Sequence, residues 1–199
     1  FKRCGEDLFR QGINNSHSGN MSVCDGATIC ITKSGSQLGR ITWDSLVETS
    51  LHYVDAAARQ ASVELVVHRA IYQQTSAKAI VHAHPPHAVA ISFMTDEIVP
   101  VDAEGQYYMP EVPVLVVDEA ISSEEVAAKL PSLLRKNPIV VIRGHGSFAI
   151  GANIERCLLL TSSLENCFMA PGGSSSPKPA CRSWYPWIPM SGSTCTFMM

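Results

Sequence analysis

The amino-acid sequence predicts an α/β fold, and three observations support this. Segments with helical periodicity alternate along the chain with short β-branched segments, which is typical of α/β domains. A length of 199 residues and a hydrophobic content of 46% suffice for one sizeable core but are short for two full domains. The composition then changes abruptly to Pro, Ser and Gly, so we predict one domain over residues 1–169 and an atypical tail over residues 170–199.

The first fifty residues predict a helix, two polar loops and two short elements. Apolar residues at helical spacing open the chain in FKRCGEDLFRQ. The segment GINNSHSGNMSV that follows is dense in Gly, Asn and Ser, which cannot sustain a helix and suit a binding loop rich in exposed backbone. ATICIT predicts a strand, TKSGSQLG predicts a second polar loop, and TWDSLVETSLHYV predicts one further short element.

The middle of the chain predicts a helix followed by a strand. The pattern SVELVVHRAIYQQ indicates a helix with Ser62 as its N-cap, in which Glu64 and His68 share one face. The β-branched, alternating segment KAIVHAH predicts a strand that a Pro-Pro pair ends. Because alternate strand residues share a face, His82 and His84 should project to the same side.

The remaining elements continue the alternation. PPHAVAISFM predicts a helix, and IVPVDAEG and VPVLVVD predict short strands. SSEEVAAKLPSLLRK predicts a helix that opens with a capping box of Ser122 and Glu125 and that Pro131 kinks or splits. PIVVIRGHGSFAIG predicts two strands joined by a tight Gly-His-Gly turn, and a last helix is expected over residues 153–168.

Composition excludes several classes of function. A formal net charge of −3, a pI near 6.2 and the absence of any long Lys/Arg run predict that the protein does not bind nucleic acid. No apolar stretch approaches the roughly 18 residues of a membrane span, so we expect a soluble protein that does not enter the membrane. Seven cysteines without a C-x-x-C pair predict free thiols and a cytoplasmic location.

Three histidines are arranged as metal ligands. An isolated histidine is more often a packing residue, but two that face the same way before a Pro-Pro stop favour a metal site. His145, between Gly144 and Gly146 at the end of an apolar strand, is the natural third ligand because the backbone must turn sharply there while presenting one side chain. Three histidines leave a fourth position open, which is typical of a catalytic Zn²⁺ site.

A carboxylate is needed beside such a metal to move protons. Glu64, near a helix start, is the best candidate, although an ordinary solvated helix glutamate is the alternative interpretation. His17, His52 and His87 are expected not to be ligands. The two polar loops and the helix start at Ser62 offer backbone N–H groups and hydroxyls suited to a phosphate, although such loops are usually only turns.

The motifs SGNMS, TKSG, ASVELVVH, HAHPPHA and RGHG, in this order and at compatible separations over residues 1–169, resemble the class II aldolase/adducin family, most closely its L-fuculose-phosphate aldolase branch. The resemblance implies a single-domain α/β fold, with a central, mainly antiparallel β-sheet flanked by helices. It also implies a homotetramer with active sites at the subunit interfaces.

The resemblance also assigns roles to individual residues. His82, His84 and His145 match the family's zinc ligands, and Glu64 matches its catalytic glutamate. The positions that match the family's phosphate site are Gly19, Asn20, Ser34, Gly35 and Ser62. Where the branch has two consecutive serines, this chain has Ser62 and then Val63, which removes one hydroxyl from that site. Tyr107 or Tyr108 could supply one of the family's active-site tyrosines.

The activity implied by the resemblance is that of a zinc-dependent aldehyde-lyase with one Zn²⁺ per subunit, for which Mn²⁺ or Co²⁺ could substitute. Its substrate is a small phosphorylated sugar, a ketose 1-phosphate such as L-fuculose 1-phosphate. The products are dihydroxyacetone phosphate and an aldehyde such as L-lactaldehyde. The change at Val63 leaves open a related pentulose-phosphate epimerase, methylthioribulose-phosphate dehydratase or sugar-acid phosphate decarboxylase. A non-catalytic module like the adducin head is the remaining alternative.

Overall fold

The computed structural model describes residues 1–167, so the tail predicted over residues 170–199 lies outside the described residues. This part of the chain contains eight strands: β1 (Asn20–Cys24), β2 (Thr28–Thr32), β3 (Leu46–Ser50), β4 (Ala79–Ala83), β5 (Glu97–Ile98), β6 (Val112–Leu115), β7 (Ile139–Ile142) and β8 (Gly146–Gly151). Its α-helices are α1 (Lys2–Arg10), α2 (Leu65–Gln74), α3 (Pro86–Ser92), α4 (Ala103–Tyr108), α5 (Glu124–Leu134) and α6 (Ile154–Asn166).

The strands form one sheet in the order β3-β2-β1-β4-β8-β7-β6-β5. Every neighbouring pair is antiparallel except β6 and β7, which are parallel. The predicted fold class is therefore confirmed: a single α/β domain with a mainly antiparallel sheet and flanking helices. None of the helices in residues 1–167 combines the length and the apolar character that a membrane crossing requires.

The sheet separates two hydrophobic clusters because alternate side chains of a strand point to opposite faces. On β4, Val81 joins the cluster that contains residues of α1 and α6, and Ile80 joins the cluster that contains residues of α2 and α5. His82 lies on the same face as Ile80, where its ring stacks on Phe148 of β8 with the ring centroids 4.2 Å apart. The histidine strand thus turns its functional face toward α2 and α5.

Strand β1 was missed, because NMSV was assigned to the preceding polar loop. The residue directly opposite Asn20 in the ladder is His82 of β4, and the residue opposite Ser22 is Ile80. Both Asn20 and Ser22 are buried, at 5% and 0% exposure. Polar residues normally indicate the exposed face of a strand, so the burial of these two concealed the alternation.

Two helix starts differ from their predictions. Helix α2 begins at Leu65 with Glu64 at the N-cap position, because Ser62 lies in a preceding turn where its Oγ accepts from the Glu64 N–H at 3.3 Å. Helix α5 is capped by Ser123, whose Oγ accepts from the Val126 N–H at 3.1 Å. The predicted capping box of Ser122 and Glu125 is therefore wrong, because the N-cap is Ser123, one residue later.

Other predictions for the elements are only partly met. Helix α5 runs through Pro131 to Leu134 without being split. Of the segment IVPVDAEG, only Ile98 belongs to a strand, the short β5, because Asp102 accepts from the Gly105 N–H at 2.8 Å and caps the short helix α4 instead. Helix α6 follows its prediction up to Asn166, and the predicted last residue, Phe168, lies outside the described residues.

Helix α1 lies against the 3₁₀ turn Leu38–Arg40, and Gly5 permits that contact. A Cβ at Gly5 would stand 2.1 Å from the Leu38 carbonyl oxygen. We predict that Gly5→Ala lowers the free energy of unfolding by about 1–3 kcal/mol, because a clash with fixed backbone outweighs the ~1 kcal/mol by which Ala favours a helix over Gly. Urea unfolding measures this change. The control is Arg3→Ala, at an exposed position of α1, and a loss as large in the control would contradict the assignment.

Candidate metal centre

Three histidines from two parts of the chain meet at one end of the central strands. His82 lies in β4, His84 follows that strand, and His145 lies in the turn between β7 and β8. One ligand nitrogen from each side chain can be chosen so that all three lie within 4.8 Å of one another. The ring centroids are 4.7 to 5.0 Å apart. The structure thus brings together the three residues that the sequence assigns to a metal.

The protonation of His82 is set by the strand beside it. Its Nδ1 lies 3.0 Å from the Ser147 carbonyl oxygen, which can only accept, so Nδ1 carries the proton. The free lone pair of Nε2 then points toward His84, whose Nε2 is 3.0 Å away. Two nitrogens bound to a tetrahedral zinc at about 2.0–2.1 Å stand about 3.3–3.4 Å apart. The observed spacing is close to that of a ligand pair.

Glycines allow the histidine strands to approach. A Cβ on Gly146 would stand 2.4 Å from the Ala83 carbonyl oxygen and 3.0 Å from both the His82 and His84 rings. Gly144 has a φ of +68°, a conformation that L side chains rarely adopt, and a Cβ there would meet the ring of Phe93 at 2.7 Å. The Gly-His-Gly motif is therefore required by the packing as well as by the turn.

The turn that carries His145 is fastened to the end of α3. Arg143 donates from Nε to the Ser92 carbonyl at 2.7 Å and from an Nη to the Thr95 carbonyl at 3.1 Å. The Gly144 N–H donates to the Ser92 hydroxyl at 3.0 Å. Because α3 follows directly on the histidine strand β4, these bonds fix His145 relative to His82 and His84.

Burial keeps the three imidazoles neutral. It lowers the pKa of His84 to about 4 and the pKa of His82 well below its usual range, and in both the neighbouring imidazoles add to the effect. Burial also lowers the pKa of His145, against a smaller opposing effect of the Ala120 backbone. A neutral imidazole is the form that binds a metal, so the site does not have to lose protons near neutral pH before it can be filled.

Glu64 stands beside the cluster. Its side chain is 3% exposed, and Oε1 lies 3.9 Å from His145 Nε2 and accepts from the Ser122 N–H at 3.1 Å. Burial raises the pKa of Glu64, and the bond from Ser122 partly offsets this. Ser122 itself has a φ of +54° and donates its hydroxyl to the Val63 carbonyl. The loop before α5 therefore holds the carboxylate in place.

The donor set fits a divalent cation. Within residues 1–167, Glu64 Oε2 is buried without a hydrogen-bond partner. Buried polar atoms are normally paired, and an unpaired one in a native site calls for an ion or another ligand. Three neutral imidazoles and a nearby carboxylate are the ligands that Zn²⁺ takes in catalytic sites. His82, His84 and His145 could therefore hold such an ion, with Glu64 at its side.

Three of the predicted phosphate-binding residues come together from separate segments. The Ser34 N–H donates to the Gln60 carbonyl at 3.0 Å, and the Ser62 N–H donates to the Thr32 carbonyl at 3.0 Å. These bonds place the turn that contains Ser34 and Gly35 next to Ser62, and Gly35 has a φ of +73°. Two loops far apart in sequence thus lie side by side.

Gly19 and Asn20 lie against the histidine strand. Gly19 has a φ of +77°, and a Cβ there would stand 2.6 Å from the His82 carbonyl oxygen and 2.5 Å from Asn14 Nδ2. Asn20 is paired with His82 in the β1–β4 ladder and accepts on Oδ1 from the ring of His68. The predicted phosphate residues of the first loop are therefore anchored directly to β4.

Sequence reasoning missed two residues that hold this site. Asn14 is buried and accepts on Oδ1 from the His84 N–H at 2.8 Å, which fixes the backbone of a candidate ligand. Ser122 was named only as a helix cap, whereas its N–H binds Glu64. No periodicity marks either one, because each acts across more than fifty residues of sequence.

The remaining histidines and the two tyrosines lie elsewhere. The ring of His87 contacts the Glu165 carboxylate at 2.6 Å, and the ring of His17 contacts Gln37 at 3.1 Å. His52 is exposed. Within residues 1–167, neither Tyr107 nor Tyr108 forms a hydrogen bond or ring contact with the three histidines. Tyr108 packs with the α6-side cluster, where the Arg156 guanidinium lies 4.8 Å from its ring centroid, and Tyr107 is 81% exposed.

The sequence profile described as "Class II Aldolase and Adducin N-terminal domain" matches residues 2–170. Among curated proteins, the methylthioribulose-1-phosphate dehydratase of Acidiphilium cryptum is 28% identical over 175 residues, covering 81% of this chain and 82% of that protein. The L-fuculose phosphate aldolase of Escherichia coli K12 is 27% identical over 169 residues, covering 80% and 74%.

A solved structure supports the same relationship. The L-fuculose-1-phosphate aldolase of Thermus thermophilus superposes with a TM-score of 0.78 and 42% sequence identity. The superposition covers 85% of this chain and 89% of that one.

Gly146 provides a test of the histidine geometry. We predict that Gly146→Ala lowers the affinity for Zn²⁺ by about 10–100-fold, because the new methyl group would displace two of the three rings. Zinc retained after dialysis against a graded chelator measures the affinity, and circular dichroism checks the fold. The control is Gly26→Ala in the turn between β1 and β2, which strains a backbone with a φ of +104° without adding a contact within 4 Å, so it reports what a general loss of stability does to zinc binding. Equal zinc affinity in the Gly146 variant and the unmodified protein would contradict this arrangement.

Proposed function

The chain belongs to the class II aldolase and adducin family, and we propose that it is a zinc-dependent aldolase of ketose 1-phosphates. The preferred substrate is L-fuculose 1-phosphate or a close relative, cleaved to dihydroxyacetone phosphate and an aldehyde such as L-lactaldehyde. The observation that carries the proposal is the convergence of His82, His84 and His145 beside the buried Glu64. The 42% identity to an L-fuculose-1-phosphate aldolase supports the choice of substrate.

The three histidines would hold one Zn²⁺ per subunit, and Mn²⁺ or Co²⁺ could occupy the same ligands. A divalent cation in this position supplies a Lewis acid for the carbonyl and hydroxyl oxygens of the substrate. No lysine is needed for a covalent intermediate, so Lys33 and Lys78 have no part in the proposed chemistry. The histidines themselves stay neutral and serve as ligands, since burial disfavours their charged form.

Glu64 is the proposed proton carrier. Burial raises its pKa, so its carboxyl exchanges a proton more readily near neutral pH than an exposed glutamate does. Oε1 is held by the Ser122 N–H, whereas Oε2 has no partner within residues 1–167. We assign Oε2 to the substrate: the C4 hydroxyl gives its proton to water as the C3–C4 bond breaks and the aldehyde forms, and Glu64, which regains its proton from water, gives one proton to carbon 3 of the ketone fragment.

The phosphate would be held by polar groups of both loops and the start of α2. The hydroxyls of Ser34 and Ser62 and the amide of Asn20 can donate to an oxyanion without a large positive charge, which suits a protein with a net charge of −3. The N–H groups of Ser34 and Ser62 already donate to backbone carbonyls. The side chain of Val63 is 60% exposed and contributes no hydroxyl to this site. The proposed residues are Gly19, Asn20, Ser34, Gly35 and Ser62.

The proposed assembly is a homotetramer in the cytoplasm with its active sites between subunits. Free cysteines suit a reducing compartment, and the five in the described residues form no disulfide. The acidic pI gives no reason to expect nucleic acid as a partner. The tetramer rests on the family resemblance, and sedimentation equilibrium would test it.

A second candidate is a dehydratase acting on methylthioribulose 1-phosphate, or one of the related epimerases and decarboxylases. Two observations favour keeping it: the 28% identity to a methylthioribulose-1-phosphate dehydratase, and Val63 beside the catalytic glutamate. A non-catalytic module like the adducin head has less support, because such a module would not need three histidines and a buried glutamate at one point.

The aldolase proposal predicts release of dihydroxyacetone phosphate from L-fuculose 1-phosphate. We expect release to stop after chelation and to return with added Zn²⁺, because the histidine ligands remain in place. A coupled assay with a glycerol-phosphate dehydrogenase measures the product. No release by a zinc-loaded protein, together with loss of water from methylthioribulose 1-phosphate, would show that the dehydratase is the right candidate.

Glu64 provides a test of the mechanism. We predict that Glu64→Gln keeps its zinc but loses about 10²–10⁴-fold in kcat, because the amide keeps the shape of the side chain and cannot carry the proton. Zinc content by mass spectrometry and kcat are measured on the same sample. The control is Glu104→Gln, at an exposed glutamate of α4. Full turnover by the Glu64 variant would remove this residue from the mechanism.

A further inference from the structure

We infer that His68 is a positioning residue for anion binding: a buried hydrogen-bond chain from Tyr72 through Ser22 and His68 turns the amide nitrogen of Asn20 toward the substrate phosphate. The inference rests on the proposed phosphate site. It explains why the amide of Asn20 presents its nitrogen to the phosphate. Tyr72, Ser22 and His68 take no part in metal binding or proton transfer.

The chain of contacts is continuous and enclosed. His68 Nε2 lies 2.6 Å from Asn20 Oδ1, and His68 Nδ1 lies 2.6 Å from Ser22 Oγ. Ser22 Oγ lies 2.7 Å from the hydroxyl of Tyr72. His68 and Ser22 are 0% exposed, Asn20 5% and Tyr72 7%. Four polar side chains from α2 and β1 therefore satisfy one another between the helix and the sheet.

The acceptor on Asn20 fixes the direction of every bond in the chain. Oδ1 of Asn20 can only accept, so His68 must carry its proton on Nε2. The ring is neutral, since complete burial lowers the pKa of His68 to about 3, and Nδ1 is then an acceptor for the Ser22 hydroxyl. Ser22 has used its one proton, so the Tyr72 hydroxyl must donate to Ser22 Oγ.

Tyr72 makes the opposite direction unfavourable. If the amide of Asn20 were turned over, Nδ2 would donate to His68, His68 to Ser22 and Ser22 to Tyr72. The Tyr72 hydroxyl proton would then need a further acceptor, and Ser22 is the one side-chain partner of that hydroxyl within residues 1–167. A buried donor without a partner is costly. Tyr72, at one end of the hydrogen-bond chain, thus determines that Asn20, at the other end, presents its amide nitrogen and not its oxygen.

The open end of the chain presents a donor. Asn20 Nδ2 makes no hydrogen bond within the described residues. It is also not one of the fully buried polar atoms that lack a partner there, so it reaches the accessible surface. Asn20 also stands directly opposite His82 in the ladder, which places it beside the metal strand. An N–H group attracts a phosphate oxygen, whereas the carbonyl of a turned amide would repel it. The buried chain therefore selects for an anion at this position.

The tautomer of His68 tests the inference in the unmodified protein. We expect the imidazole nitrogen shifts in a ¹⁵N spectrum to show one neutral form of His68, with the proton on Nε2, throughout pH 5 to 8. In Tyr72→Phe the neutral form with the proton on Nδ1 should become detectable, because the Tyr72 hydroxyl, which disfavours that form, is absent. A proton on Nδ1 in the unmodified protein would overturn the inference.

Variants of His68 test the consequence for binding. We expect His68→Met to weaken the binding of inorganic phosphate, measured by titration calorimetry, by about tenfold. The same variant should raise KM for L-fuculose 1-phosphate more than it lowers kcat, with its zinc content unchanged. His68→Gln should recover most of the loss, because a glutamine amide can donate to Asn20 and accept from Ser22. The control is His52→Met, at an exposed histidine.

The outcomes separate this inference from the proposed function. Phosphate binding that depends on His68, in a protein that releases no dihydroxyacetone phosphate, would overturn the aldolase and support the inference. Normal turnover by the unmodified protein, together with unchanged phosphate binding in His68→Met, would support the aldolase and overturn the inference. No binding of phosphate by an unmodified protein that does release dihydroxyacetone phosphate would overturn the inference and leave the aldolase standing. If His68→Met does not fold, the nitrogen spectrum of the unmodified protein still decides.

Discussion

The central strand β4 is the constraint on which the site depends. It pairs with β1 on one side and with β8 on the other, so its hydrogen bonds fix the register of both neighbours against the histidines. One neighbour contributes Asn20 directly opposite His82, and the other contributes the Ser147 carbonyl that fixes the tautomer of His82. A slip of one residue in either ladder would turn these groups to the opposite face. The sheet thus sets the chemistry at its end as well as the fold.

Local sequence patterns predicted the structure correctly where a single short segment determines it. The alternation in KAIVHAH, the Pro-Pro stop and the Gly-His-Gly turn each act over a few residues, and the structure brings His82, His84 and His145 together as those patterns indicate. Strand β1 could not be recognised in the same way. Its buried face carries Asn20 and Ser22, which resemble a polar loop until their partners on α2 are known.

The remaining differences have the same cause. Ser62 is not a helix cap because its backbone is drawn into a ladder-like contact with Thr32, and Ser122 is not one because it is occupied with Glu64 and Val63. In both places a contact over a long sequence distance displaces the local preference that the residue type suggests. These departures surround Glu64, so local rules fail where the proposed chemistry is concentrated.

Glu165 ties the end of α6 to the start of α3. Its carboxylate accepts from the N–H groups of His87 and Ala88 and also contacts the His87 ring at 2.6 Å. Helix α3 begins directly after the histidine strand, so a residue near the end of the described chain caps the segment that leaves the site. A chain that ended before Glu165 would leave the N–H groups of His87 and Ala88, at the start of α3, without this acceptor.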